Sequence, residues 1–400
     1  MKHESDVTRR EALALLTGSA VAAGSLGAPA TVAAASTSDQ PRATVPGSAQ
    51  RRGFHACAIQ MRVDAVNTDT TRESARARMR KSLARAAAQI RGAKSWVGAD
   101  LALVVLPEYF LTGFPITESV PQWIDKAVLS MDGEEYAALG AIAQENKVYL
   151  AGNAYELDPK FPGIFFQCSF LVEPGGSVIL RYRRLISTLV PTPYDVWDRY
   201  LDVHGLEAVF PVARTPFGNF SAIASEEILY PEIARCHAMR GAEIFLHSSS
   251  EAYTTTLAPK KIGRMARALE NLAWVVSANT AGIANIDIAE GSADGGSEII
   301  DHMGGVVISA GQGETMTANA RIDLDELREY RRRSGINNLL SRQPPALFAS
   351  SYATGDFRRP NGLLDGGRIV VPDRRWFRER QAETVQRLLS RGVLTSEGNP

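Results

Sequence analysis

From residue 54 onward, short apolar and β-branched runs alternate with longer stretches of helical period. Ala56-Cys57-Ala58-Ile59-Gln60-Met61 reads as a first strand, and residues 72–93, rich in Ala and Arg with no breaker until Gly92, read as a helix. Residues 101–106 form an unbroken apolar run that stops at Pro107, the pattern of a strand covered on both faces. A helix over 134–146 leads to the strand Val148-Tyr149-Leu150-Ala151 and a Gly152-Asn153 turn. Residues 165–172 and 177–182 pair as a hairpin around Pro174-Gly175-Gly176. Ala222-Ile223-Ala224 is followed by a turn at Ser225, a helix over 231–240 closed by Gly241, and a strand over 243–247. A helix over 260–271, the run 273–279 and a last strand pair within 297–323 complete the alternation, which predicts an α/β layered domain.

Composition changes this picture little until the N-terminus is reached. The 400 residues are 45% hydrophobic, with 44 basic and 44 acidic side chains, enough for one large domain or two medium ones. A net charge of zero removes the electrostatic reason to expect nucleic acid or an anionic membrane surface as a partner. Cys57, Cys168 and Cys236 are widely spaced in apolar or helical runs and read as buried thiols rather than disulfide or metal ligands. Residues 1–35 differ from the rest. Thr8-Arg9-Arg10 opens an apolar, Ala- and Gly-rich run that ends in Ala33-Ala34-Ala35, the pattern of a twin-arginine-like export signal cleaved near Ala35. Thr17, Gly18, Ser19, Gly24 and Ser25 interrupt that run, making it a poor bilayer anchor. Residues 36–53 then form a polar linker, and the mature protein is expected to be periplasmic or secreted, without a stable membrane span. Nucleotide is scarce there, which disfavours ATP-coupled chemistry.

Three segments carry candidate chemistry: Leu106-Pro107-Glu108-Tyr109, Tyr182-Arg183-Arg184, and Ser225-Glu226-Glu227-Ile228-Leu229-Tyr230-Pro231-Glu232. In order and spacing they resemble the nitrilase superfamily of carbon–nitrogen hydrolases. That family carries a Glu after Leu-Pro, a Lys ending a Tyr-Arg-Lys run, and a Cys opening a Cys-(Glu/Tyr)-(Asp/Glu)-x-x-(Phe/Tyr)-Pro-Glu turn. The Glu is present as Glu108, but Arg184 stands at the Lys position and Ser225 at the Cys position. The resemblance implies a four-layer αββα sandwich over residues 54–336, convergence of the three residues in one pocket, and a homodimer or higher homo-oligomer. Residues 337–400 read as a C-terminal arm and helix that pack on the domain or on a partner subunit.

The replacements alter the expected chemistry. An alcohol needs a strong general base beside it where a thiol needs little help, and an Arg cannot exchange protons. An Arg184 forked onto Glu108 would hold the carboxylate ionised and reduce its basicity. Three readings stand. Ser225 attacks a small amide-like or related carbonyl substrate with Glu108 as base; or the pocket runs non-covalent acid–base chemistry, as a lyase or hydratase; or catalysis has lapsed and the domain binds or assembles. The turn at Ser225, placed at a helix head, is expected to favour an anion.

Other candidates for the substrate pocket carry plainer alternatives. Glu226 is a possible second acid, although carboxylates after Ser225 are expected simply from the helix dipole. His247 ends a strand and reads first as a hydrogen-bonding loop histidine. Asp195 and Trp197 follow the Arg184 segment, with core packing as the alternative for the Trp. Glu156 suits either the site or a structural ion pair, and Asn279 either substrate contact or turn formation. The sequence holds no metal-ligand spacing, phosphate-cradling Gly motif or dinucleotide fingerprint, so no cofactor is expected, and the expected partner is a small-molecule substrate.

Overall fold

Two stacked β-sheets form the centre of the molecule. The computed structural model describes residues 53–251, 258–355 and 357–395, so the segment expected to be an export signal and nearly all of the expected linker lie outside the described residues. In the first sheet, Asn319–Asp323, Gly53–Ala58, Leu101–Val105, Tyr149–Leu157, Phe166–Val172 and Val178–Arg183 are neighbours in that order, with Leu129–Ser130 also on Tyr149–Leu157. The Gly53, Leu101 and Tyr149 strands run parallel. In the second sheet the order is Val306–Ser309, Glu298–Ile300, Trp274–Ala278, Ile244–Ser248, Gly218–Ala224 and Ala213–Thr215, with the Gly218, Ile244 and Trp274 strands parallel.

Cover on both faces explains why central strands such as Leu101–Val105 are apolar throughout. Leu103 and Val105 join Phe54, Ala56 and Tyr149 in a core shared with Phe220, Ala222, Leu246 and Val276 of the other sheet. Val104 and Leu106 point the opposite way, into a cluster with Met79, Leu83, Ile90, Leu139 and Ile142. Those residues come from the helices Arg72–Val97 and Glu134–Asn146, which cover the first sheet. Helices Pro231–Met239 and Pro259–Asn271 cover the second. A strand with helix on one side and sheet on the other has no polar face, and the layers are αββα.

The helix Arg72–Val97 is set by the Thr71 side chain, which accepts from the Ser74 amide, and by a buried stripe, Ala75, Met79, Leu83, Ala86, Ile90 and Ala93, at helical spacing. The predicted hairpin forms, and Gly241, at φ +95°, follows the helix Pro231–Met239 as expected. Part of the arm folds back on its own chain. Leu363 packs with Phe161, Phe166, Val196 and Tyr200, and the Leu363 amide donates to the Asp195 carbonyl over 2.9 Å. The closing helix, Arg374–Ser390, buries only Phe377. Cys57 and Cys168 are buried, Cys236 is half-buried, and all three are free thiols; burial pushes the Cys57 thiol up to about 12.

Candidate active site

The parallel strands of both sheets end on the same side, where ligands sit in α/β folds, and the turns leaving those ends are stitched together. The Ser248 hydroxyl donates to the Leu106 carbonyl at 2.7 Å, and the Glu108 amide donates to the Ser249 carbonyl at 3.3 Å. Between them lies a cavity of about 190 Å³ lined by polar Glu108, Gln167, Arg184, Ser225, Glu226 and Lys260 and by an apolar wall of Tyr109, Phe114, Tyr155, Leu189 and Val190. Tyr109 stacks on Tyr155 with ring centres 5.7 Å apart. Four of the nine sequence candidates thus share one cavity: Glu108, Arg184, Ser225 and Glu226.

Two residues of this cavity hold left-handed backbone: Ser225 at φ +48° and Tyr109 at φ +60°. For a residue with a side chain that costs about 1–2 kcal/mol, so neighbouring bonds must enforce it. At Ser225 the enforcing group is His247. Burial pushes its imidazole down to about 3, with Arg264 adding to the effect, so the ring is neutral. Its Nε2–H donates to the Ser225 carbonyl at 2.8 Å, and its Nδ1 accepts from the Ser277 hydroxyl at 2.8 Å. His247 therefore shapes the turn from behind and does not line the cavity.

The anion-binding helix head expected at Ser225 is not formed. Ser225–Leu229 is a short 3-10 turn and the α-helix starts only at Pro231, because the Pro ring suits a first helical position. The neighbouring carboxylates do not serve a helix dipole either. Glu226 pairs with Arg184 Nη2. Glu227 is fully buried and accepts from the backbone amides of Leu185 (2.8 Å) and Ile186 (3.0 Å) and from the Tyr182 hydroxyl (2.7 Å). It ties the Ser225 turn to the segment that carries Arg184.

Each of the three Arg184 side-chain nitrogens has a partner. Its Nε donates to the Ile186 carbonyl at 2.7 Å, Nη1 to Gln167 Oε1 at 2.9 Å, and Nη2 to Glu226. The expected fork onto Glu108 is absent, because Nη1 stands 3.6 Å from Glu108 Oε1 and Gln167 bridges the two. Gln167 Nε2 donates to that same carboxylate oxygen at 2.6 Å. Burial opposes the Arg184 charge, yet Tyr109, Glu108, Glu226 and Glu227 around it hold its pKa above the ordinary value.

Five candidates stand elsewhere, four in structural hydrogen bonds or ion pairs and one in a packing contact. Glu156 is buried between Arg181 (2.8 Å), Arg183 (3.5 Å) and the Tyr136 hydroxyl. Asp195 accepts from the Thr192 amide and hydroxyl and from Arg358, tying the arm down. Trp197 packs on Tyr194, with ring centres 5.7 Å apart, in the cluster around Tyr200. The Asn279 side chain donates to the carbonyls of Glu251 and Gly295. His247, described above, is the fifth.

Among the cavity residues that escaped the sequence reading, two carried a signal. Gln167 is a long polar side chain in a strand run that is apolar apart from it and Ser169. Lys260 sits beside Lys261 in the first turn of a helix with no acid there, against the helix dipole. Lys261 is drawn to Glu298 at 3.0 Å. Lys260 turns the other way, its Nζ donating to Ser225 Oγ at 3.1 Å and to Ser249 Oγ at 3.4 Å. Among the described residues no group of three or more His, Cys, Asp or Glu is disposed to hold a metal ion.

Glu227 yields a pH test. Burial pushes its carboxyl up to about 7, against the pull of Arg184, Tyr182 and the two amides. An acid whose pKa rises on folding stabilises while protonated. Its contribution is complete below about pH 4.5, shrinks as pH rises, and is lost above about 7, an amplitude of about 3 kcal/mol at most. Glu227→Gln stays neutral and removes that slope. In urea unfolding the variant should gain on wild type between pH 5 and pH 8; parallel pH profiles of the two would contradict the assignment.

The αββα layers with their cavity at the carboxyl ends of the parallel strands are the nitrilase fold. Residues 57–332 match the carbon–nitrogen hydrolase family, and the chain belongs to it. Omega-amidase NIT2 of Mus musculus is 25% identical over 283 residues, spanning 71% of this chain and 93% of its own. A formamidase of Bacillus cereus (strain B4264) is 27% identical over 185 residues, 46% of this chain and 51% of its own. The carbon–nitrogen hydrolase of Helicobacter pylori G27 shares the fold with a TM-score of 0.58 at 19% identity, covering 75% of this chain and 98% of the other.

Proposed function

We propose that this protein hydrolyses the C–N bond of a small amide through an ester formed on Ser225, with Glu108 moving the protons. The observation that carries the reading is the local arrangement of Ser225. Its backbone is held in a left-handed conformation at a strand end, its carbonyl is locked by a neutral His247, and its hydroxyl lies in the cavity beside Lys260. The likeness to an omega-amidase and a formamidase supports an amide as substrate. A cavity of about 190 Å³ falls below the ~300–1,000 Å³ of ordinary ligand pockets and favours a substrate of few atoms.

In the first half-reaction the Ser225 hydroxyl gives its proton to the Glu108 carboxylate while Oγ bonds to the amide carbon, and the carbonyl electron pair moves onto oxygen. Collapse breaks the C–N bond, and the departing amine takes the proton from Glu108. Water then attacks the ester with Glu108 as base, and Ser225 leaves with that proton. The apolar wall of Tyr109, Phe114 and Tyr155 limits water around these steps. The test is to offer purified mature protein short-chain amides, nitriles, esters and lactones and to follow ammonia or acid release, with intact mass recorded during turnover. An acyl adduct mapping to Ser225 is the expected result; turnover of an amide with no adduct under any quench would favour the non-covalent acid–base route instead.

A further inference from the structure

We propose that Lys260 is a catalytic residue: its ammonium stabilises the negative charge that builds on Ser225 Oγ, so the cation of this site comes from the Pro259–Asn271 helix and not from Arg184. The inference rests on Ser225 as nucleophile and deepens that reading. Two cations line the cavity, and they differ in what remains free. Arg184 directs Nε to a backbone carbonyl, Nη1 to the buried Gln167 and Nη2 to the half-exposed Glu226, so swinging the guanidinium toward Ser225 would break its bond to a buried side chain. Lys260 has no carboxylate partner among the described residues and touches two hydroxyls, of Ser225 and Ser249. Its 3.1 Å contact is to the atom that reacts.

The geometry also says which charge Lys260 serves. Because the ammonium donates to Oγ, the Ser225 proton is directed away from Lys260, free to pass to a separate base. In this role Lys260 acts only as a hydrogen-bond donor and passes on no proton. It meets the partial negative charge on Oγ as the C–O bond forms, and meets it again when Oγ departs from the ester as water adds. Such a preorganised donor costs no rearrangement at the moment of reaction. Ser249, whose carbonyl accepts from the Glu108 amide, holds Lys260 from the second sheet, so acid–base group and cation are registered through one residue.

A thiol placed at the reacting position reads the Lys260 field without a known substrate. In the Ser225→Cys background, the pH profile of iodoacetamide alkylation is followed by peptide mass at residue 225, which separates it from half-buried Cys236. With Lys260 present the thiol should ionise about 1–3 pH units lower than with Lys260→Met, as expected for a cation within contact distance. On a turned-over amide, Lys260→Met in the wild-type background should lower kcat by about 10²-fold or more with KM nearly unchanged, and Lys260→Arg should restore part of it. Lys260→Gln repeats both measurements should the Met variant fold poorly. Identical alkylation profiles, or an effect on KM alone, overturn the inference. The underlying reading fails separately: a Ser225→Ala enzyme that still turns over removes the nucleophile whatever the thiol profile shows. A dead Ser225→Ala with unmoved thiol ionisation removes Lys260 only.

Discussion

Ser225→Ala is expected to lower kcat by more than about 10³-fold on any amide the protein hydrolyses, with folding intact, because the proposed nucleophile is removed. Alanine accepts the same backbone strain as serine, and the His247 bond to the residue 225 carbonyl does not depend on the side chain. Circular dichroism and thermal unfolding should therefore match wild type to within about 1 kcal/mol. Ser225→Cys is the informative companion. A thiol needs less activation than an alcohol, and Lys260 Nζ stands 3.1 Å from the oxygen it replaces, so activity should be retained or raised. Were the chemistry non-covalent, Ser225→Ala would lose only a hydrogen bond, about 1–2 kcal/mol or ~5–30-fold in rate. Steady-state kinetics on the first amide found to turn over separates these outcomes, and a near-normal Ser225→Ala rate would end the ester mechanism.

Glu108→Gln is expected to be comparably damaging for a different reason. The amide keeps the size of the carboxylate and still accepts from Gln167 Nε2, now at 2.6 Å from Glu108 Oε1, so the cavity should hold its shape. What disappears is the proton acceptor, and general acid–base catalysis typically contributes about 10²–10⁴-fold. In the proposed mechanism both half-reactions use Glu108, so acylation and hydrolysis should fall together and no ester should accumulate. A quenched mass spectrum that instead shows ester build-up in Glu108→Gln would assign the acylation base to another group. The pair of variants also sorts the remaining readings. Loss in Glu108→Gln with survival of Ser225→Ala selects acid–base chemistry without a covalent intermediate, and a binding module would show no turnover to lose.

Placement of the cations shows where local pattern stops being informative. Arg184 at the Lys position of the family pattern suggested an Arg–Glu108 fork, and the structure puts Gln167 between them. Gln167 is one residue along a strand whose register with Val178–Arg183 aligns Cys168 with Arg183 and lets Arg184 donate its amide to the Gln167 carbonyl. Register of that kind is a property of two strands, not of either one. Lys260 gave a faint signal as a cation at the wrong end of a helix, but nothing local says that it reaches Ser225, 35 positions earlier.

Sequence by itself determined the alternation of strands and helices, the burial of strands such as Leu101–Val105 on both faces, and the hairpin around Gly175-Gly176. Family-like segments in their order were enough for the nitrilase fold and for Glu108, Arg184 and Ser225 as candidates. These are readable because periodicity, turn residues and short motifs are set by neighbours a few positions apart. Only the tertiary structure decided which polar groups meet. It assigned Glu227 to the Leu185 and Ile186 amides, His247 to the back of the Ser225 turn, Glu156 and Asp195 to ion pairs outside the cavity, and Lys260 to Ser225. A buried charge takes whichever partner the stacking of two sheets brings within about 3 Å, and that stacking is fixed by the whole core, which no short stretch of the chain contains.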